Sequence, residues 1–129
     1  MSDYLNEKIA TFEQALKTFS EALLSHPSQL ERDGAIQRFE YCFDLSWKTL
    51  KRVLEKRGIL DVNSPRSVFS AAYAEKLIDD EQTWSIIILK RNASVHTYNQ
   101  QLADSLFAEL PGYYKSMNEL LKKLKLAQV

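Results

Sequence analysis

Leu5, Ile9, Phe12, Leu16, Phe19 and Leu23 recur at alternating spacings of four and three, which draws one unbroken apolar line down a helix. A line of this length commits the first part of the chain to an amphipathic helix, and that helix needs another apolar surface to cover it. The spacing predicts a helix from residue 3 to about 25. It should end in SHPSQ at 25–29, where Pro27 disfavours helical backbone at His26. A second helix is predicted from about 30 to 57, with Ile36, Phe39, Phe43, Ser46, Leu50 and Val53 as its core line. Gly58 suits its end because glycine tolerates a left-handed backbone. Nearly opposite the core line lie Arg38, Tyr41 and Leu45, with the charged strip Glu40, Asp44, Lys48 and Lys51 between. This helix should therefore touch partners on two sides, as the central helix of a bundle or as a dimer surface.

Ser64 before Pro65 reads as an N-cap followed by proline at the first helical position, predicting a short helix over about 65–76. Asp79 or Asp80 can cap the next helix, which runs through Trp84 and Ile88. The last should cover about 100–125 through Leu102, Leu106, Leu110, Tyr114, Met117, Leu121 and Leu124, kinked or broken at Pro111-Gly112. With only three glycines and three prolines, and helix-forming residues throughout, the expected class is all-α. The architecture is an up-and-down four-helix bundle with an additional short helix, one domain over residues 1–129.

Seventeen basic against seventeen acidic residues exclude a grossly cationic nucleic-acid binder, so any such site must be local. Lone Cys42 has no internal disulfide partner, and no basic segment followed by an apolar run opens the sequence, so a cytoplasmic location is expected. SIIIL at 85–89 is far short of the ~20 apolar residues a membrane span needs.

The line Trp84, Ile88, Arg91, Val95 and Tyr98 keeps the spacing of four and three but places an arginine where a core residue belongs. Beside it run Asn92, His96 and Asn99. If the helix continues, Arg91, Asn92, His96 and Tyr98 converge within about two turns, at ~1.5 Å rise per residue. Spacing alone leaves two possibilities open. Arg91 and His96 can satisfy carboxylates such as Glu40 or Asp44 and stitch two helices together. Alternatively, an imidazole that titrates near neutrality and a guanidinium fork suit a phosphodiester, with His96 moving protons and Arg91 stabilising charge on phosphorus. No metal or other cofactor is needed for that chemistry. Cleavage through a 2′-hydroxyl needs a proton acceptor and a donor, and a twofold homodimer would supply a second His96.

Arg91-Asn92, three residues, His96, one residue and Tyr98 resemble the motif of HEPN-domain proteins, specifically the helical partners of minimal nucleotidyltransferases. RFEYCFDLSWKTLK at 38–51 is similar to the second-helix signature of the branch called nucleotidyltransferase substrate-binding proteins, and SPRSVFSAAY at 64–73 also fits it. The resemblance covers nearly the whole chain. It implies a dimeric helical bundle encoded beside a small nucleotidyltransferase and in complex with it. The helical protein then either binds substrate for the transferase or acts as an RNase toxin that the transferase neutralises by adding adenylate to the motif tyrosine. Carried over, Arg91 and His96 cut RNA, Asn92 assists and Tyr98 is modified. Asp44 stands where the longer Glu belongs in that pattern, a shorter reach toward the motif.

Elsewhere, Cys42 reads as a small packed residue, His26 as a loop residue, and Trp47 and Trp84 as core anchors. Zinc-ligand spacing, a glycine-rich phosphate loop and a Ser-His-Asp constellation are all missing from the sequence. Lys48, Lys51, Arg52, Lys56 and Arg57 form either a solvated face or a guide for an RNA backbone, and KKLK at 122–125 has the same two readings.

Overall fold

A computed structural model describes residues 2–23 and 28–127. Among these, the chain forms five α-helices and no strand: α1 (Ser2–Ala22), α2 (Gln29–Lys56), α3 (Pro65–Ala74), α4 (Glu81–Ala93) and α5 (Gln100–Leu126), with a 3₁₀ turn over Ser94–His96. The all-α class is as the sequence implies. The break expected at His26 and Pro27 lies outside the described residues.

Local chemistry sets the helix ends. Ser28 and Glu31 form a capping box at the start of α2, each side chain satisfying the other's backbone N–H. Ser64 and Ser67 do the same for α3, ahead of Pro65 in its first turn. Asp80, rather than Asp79, caps α4 by accepting from the backbone N–H of Thr83 at 3.1 Å, and hydrogen bonds from the Thr83 hydroxyl and N–H hold its carboxyl below the usual range. Gly58 takes the left-handed conformation after α2, with φ of 83°.

The core lines are buried as the spacing predicts, except that Leu23, Leu102 and Tyr114 are only half-buried. Leu5, Ile9, Phe12, Leu16 and Phe19 of α1 meet Ile36, Phe39, Phe43, Leu50 and Val53 of α2, and α5 covers both with Leu106, Leu110, Met117, Leu121 and Leu124. Each fully buried phenylalanine contributes on the order of 1.5–3 kcal/mol. Phe19 meets Tyr114 edge to face at 5.7 Å, locking α1 to α5. A second aromatic run carries the shorter helices: Phe43 of α2 touches Phe69 of α3, which stacks on Trp84 of α4 at 4.4 Å. This stack fixes α4 at its N-terminal half, through Trp84, Ile87 and Ile88.

Two expectations are corrected. Of the kink or break expected at Pro111-Gly112, the break does not occur: α5 stays helical from Gln100 to Leu126. Both residues are exposed, while Leu110 and Met117 on the buried side hold the helix together. The penultimate helix does not reach Tyr98. It stops at Ala93, and the apolar line running through it surfaces, leaving Val95 62% and Tyr98 83% exposed. Among the described residues no helix is long and apolar enough to cross a membrane.

Candidate polar site at the end of helix α4

The end of α4 is shaped by hydroxyls. Ser94 Oγ lies 2.7 Å from the Arg91 carbonyl, Thr97 Oγ1 donates to the Ser94 carbonyl at 3.1 Å, and Asn99 caps α5 by accepting from the Leu102 N–H. Such short-range bonds give the backbone an alternative to the α-helical ladder. The chain tightens into a 3₁₀ turn at 94–96 and restarts as α5 at residue 100.

This break divides the predicted cluster into two groups. In the first, Arg91 is clasped by α2. Its Nη1 donates to Glu40 at 3.4 Å, and its Nη2 and Nε donate to the two oxygens of Asp44 at 3.3 and 3.5 Å. Asp44, despite its short side chain, reaches the motif. Ser94 completes the clasp: its hydroxyl is buried, donates to Glu40 and accepts from Arg91 Nη1 at 3.3 Å. Glu40 and the Ser94 hydroxyl sit side by side and share one Nη1 hydrogen, so three of the five guanidinium N–H groups are engaged and one on each of Nη1 and Nη2 is left outside the clasp. The side chains of Arg91 and Glu40 are each 25% exposed and that of Asp44 41%, so this is a half-buried network at the surface.

The second group is His96 and Tyr98. Both are exposed, with Nδ1 of His96 3.0 Å from the Tyr98 hydroxyl and the rings edge to face at 5.7 Å. Among the described residues His96 pairs with neither Glu40 nor Asp44. Asn92 is exposed on the last turn of α4 and joins neither hydrogen-bonded group. Arg38 lies apart as well, donating to the Thr18 carbonyl of α1 at 2.5 Å beside the Tyr41–Thr18 hydroxyl pair. The second face of α2 is thus partly covered by α1.

Ser94 is the residue that periodicity missed. Its signal was a hydroxyl three residues after an arginine placed in a core line, the position from which a side chain can meet both that arginine and its partner carboxylate.

Much of the basic cluster on α2 has intramolecular partners. Lys51 donates to Asn63 at 2.9 Å, Arg52 pairs with Glu55 and lies over the Tyr4 ring, and Arg57 pairs with Glu75. In the KKLK segment Lys123 pairs with Asp79 and Lys125 with Glu13. Trp84 is buried and Trp47 packs half-buried against the core. Cys42 is fully buried, and burial pushes its thiol up to about 12, which removes it as a nucleophile near neutral pH. No group of three or more His, Cys, Asp or Glu side chains suited to a metal ion occurs among the described residues.

Residues 5–126 match the family described as nucleotidyltransferase substrate binding protein like. The chain belongs to this family. A protein from Haemophilus influenzae named probable ribonuclease HepT is 30% identical over 96 residues, which cover 71% of this chain and 66% of that relative, just under two thirds of its length. A crystal structure of a protein from Thermus thermophilus superposes with a TM-score of 0.82 at 37% identity, covering 88% of this chain and 98% of the other. HI0074 from Haemophilus influenzae, described as revealing the fold of a substrate binding domain of a nucleotidyltransferase, gives 0.72 at 26% identity, covering 95% and 98%. Within this family, the chain carries its arginine, histidine and tyrosine at the end of α4, the arginine clasped and the other two facing solvent.

Proposed function

We propose that this chain is the helical, substrate-binding partner of a minimal nucleotidyltransferase in a two-component, toxin-antitoxin-like system, and that the end of α4 binds RNA or nucleotide phosphate. On this reading the chain is a metal-independent endoribonuclease, working as a homodimer that brings two copies of His96 to one phosphodiester. His96 moves protons between the attacking 2′-hydroxyl and the leaving oxygen. Arg91, assisted by Asn92, stabilises the charge that develops on phosphorus. Adenylate added to Tyr98 places a bulky anion beside His96 and closes the site.

The observation that carries this reading is the exposed His96–Tyr98 pair, 3.0 Å apart, just beyond the clasp in a chain of this family. A structural module, whose polar residues only stitch helices, accounts for Arg91 with Glu40 and Asp44 but leaves His96 and Tyr98 without a task. The clasp limits how Arg91 acts: a phosphate accepts from the N–H groups left on Nη1 and Nη2 or displaces a carboxylate.

The test is RNA cleavage by purified chain without metal or transferase, wild type against His96→Ala, from pH 5 to 8. Cleavage by the wild type that is lost in a folded variant establishes the nuclease. If neither cuts any RNA tried, the nuclease falls and a non-catalytic subunit holding substrate for the transferase remains.

A further inference from the structure

Residues two apart on an α-helix point to nearly opposite sides and do not meet. His96 and Tyr98 meet because α4 has already ended: the 3₁₀ turn at Ser94–His96 and the turn after it swing both rings to the same side, in edge-to-face contact with Nδ1 against the phenol oxygen. The contact brings an imidazole nitrogen to the one atom of Tyr98 able to act as a nucleophile. It does so at the most exposed tyrosine among the described residues, where an incoming electrophile meets no steric barrier.

From this geometry we propose that His96 is the general base that makes the Tyr98 hydroxyl a nucleophile. The proposal rests on the reading above, in which Tyr98 receives a nucleotide. With a nucleoside triphosphate as co-reactant, Tyr98 Oη forms a bond to the α-phosphorus, the bond from that phosphorus to the α,β-bridging oxygen breaks, and pyrophosphate leaves. The phenol proton passes to Nδ1 of His96 and from there to solvent. The transferase supplies the bound nucleotide, while the proton acceptor belongs to the helical chain itself. His96 then serves two reactions: it moves protons for the phosphodiester before modification, and it assists the modification that ends its own access to RNA.

The test needs no transferase. An aryl sulfonyl fluoride forms an O–S bond to a phenol as the S–F bond breaks, with the same requirement for a proton acceptor. Rates of labelling are read residue by residue by peptide mass spectrometry in wild type, His96→Ala and His96→Asn, the last retaining a hydrogen-bonding side chain that is not a base. Tyr4 and Tyr73, 48% and 47% exposed, are the internal references and also report folding of the variants; the 83% exposure of Tyr98 accounts for less than a twofold advantage over them. The expected result is Tyr98 labelled roughly tenfold faster than Tyr73 in the wild type and at the Tyr73 rate in both variants. Equal rates in the wild type, or an advantage that survives either substitution, overturns the proposal. If His96 activates Tyr98 in this assay but no transferase modifies it, the base stands and the adenylate reading falls. If a transferase modifies Tyr98 equally fast in wild type and His96→Ala, the base falls and the adenylate reading stands.

Discussion

Arg91 and Tyr98 lie seven residues apart and share one apolar line in the sequence, yet they occupy opposite physical regimes. Arg91 is three-quarters buried in a network of two carboxylates and a hydroxyl, and its position is set by α2. His96 and Tyr98 are exposed, meet each other, and owe their placement to a local turn. A short motif need not be one structural unit. Its first part is coupled to the fold through α2, and its second part makes no contact that ties it to the core.

Substitution at Arg91 should cost the fold most. Arg91→Ala leaves Glu40 and Asp44 facing each other without a cation, and partial exposure brings the cost down from that of a fully buried pair to roughly 1–3 kcal/mol, read as a lower midpoint in thermal or urea unfolding. An unchanged midpoint would place Arg91 in the same class as His96. Ser94→Ala should come next, at about 1 kcal/mol, because it removes a buried hydroxyl shared by Glu40 and Arg91. A double-mutant cycle between Ser94 and Glu40 should show coupling, and additivity would mean that the buried hydroxyl serves only the turn. The smallest effects belong to His96→Ala and Tyr98→Phe, each within about 0.5 kcal/mol of wild type. A larger loss at either would show that the exposed pair is part of the fold after all.

The helices were largely legible in the sequence because they rest on two strong local signals. Apolar spacing marked the buried faces of α1, α2 and α5, and Ser64-Pro65, the Asp79-Asp80 pair and Gly58 marked ends that the structure shares. The pairing of Arg91 with Glu40 or Asp44 was also legible, since a guanidinium in a core line needs an acceptor and α2 offers a carboxylate strip. The end of α4 was not. Spacing counts side chains on an assumed helix and is blind to Ser94, Thr97 and Asn99, whose hydroxyl and amide groups compete for the backbone. Continuing the helix through them put His96 beside Asn92 and Tyr98 in line with Arg91, where the structure instead joins His96 to Tyr98. Pro111 failed as a breaker for the opposite reason: its local signal was strong, but buried contacts on the far side of α5 outweighed it.

The clasp around Arg91 also changes what ionic strength does to this molecule. For an open cationic site, added salt weakens phosphate binding with a slope that counts the contacts made. Here the cation is already paired, and the same salt that screens an incoming phosphate screens Glu40 and Asp44 as well, because the network is partly open to solvent. The two effects oppose each other at one guanidinium, so the phosphate binding proposed for the end of α4 should show a flatter salt dependence than its number of phosphate contacts would give, which a salt titration of binding would check.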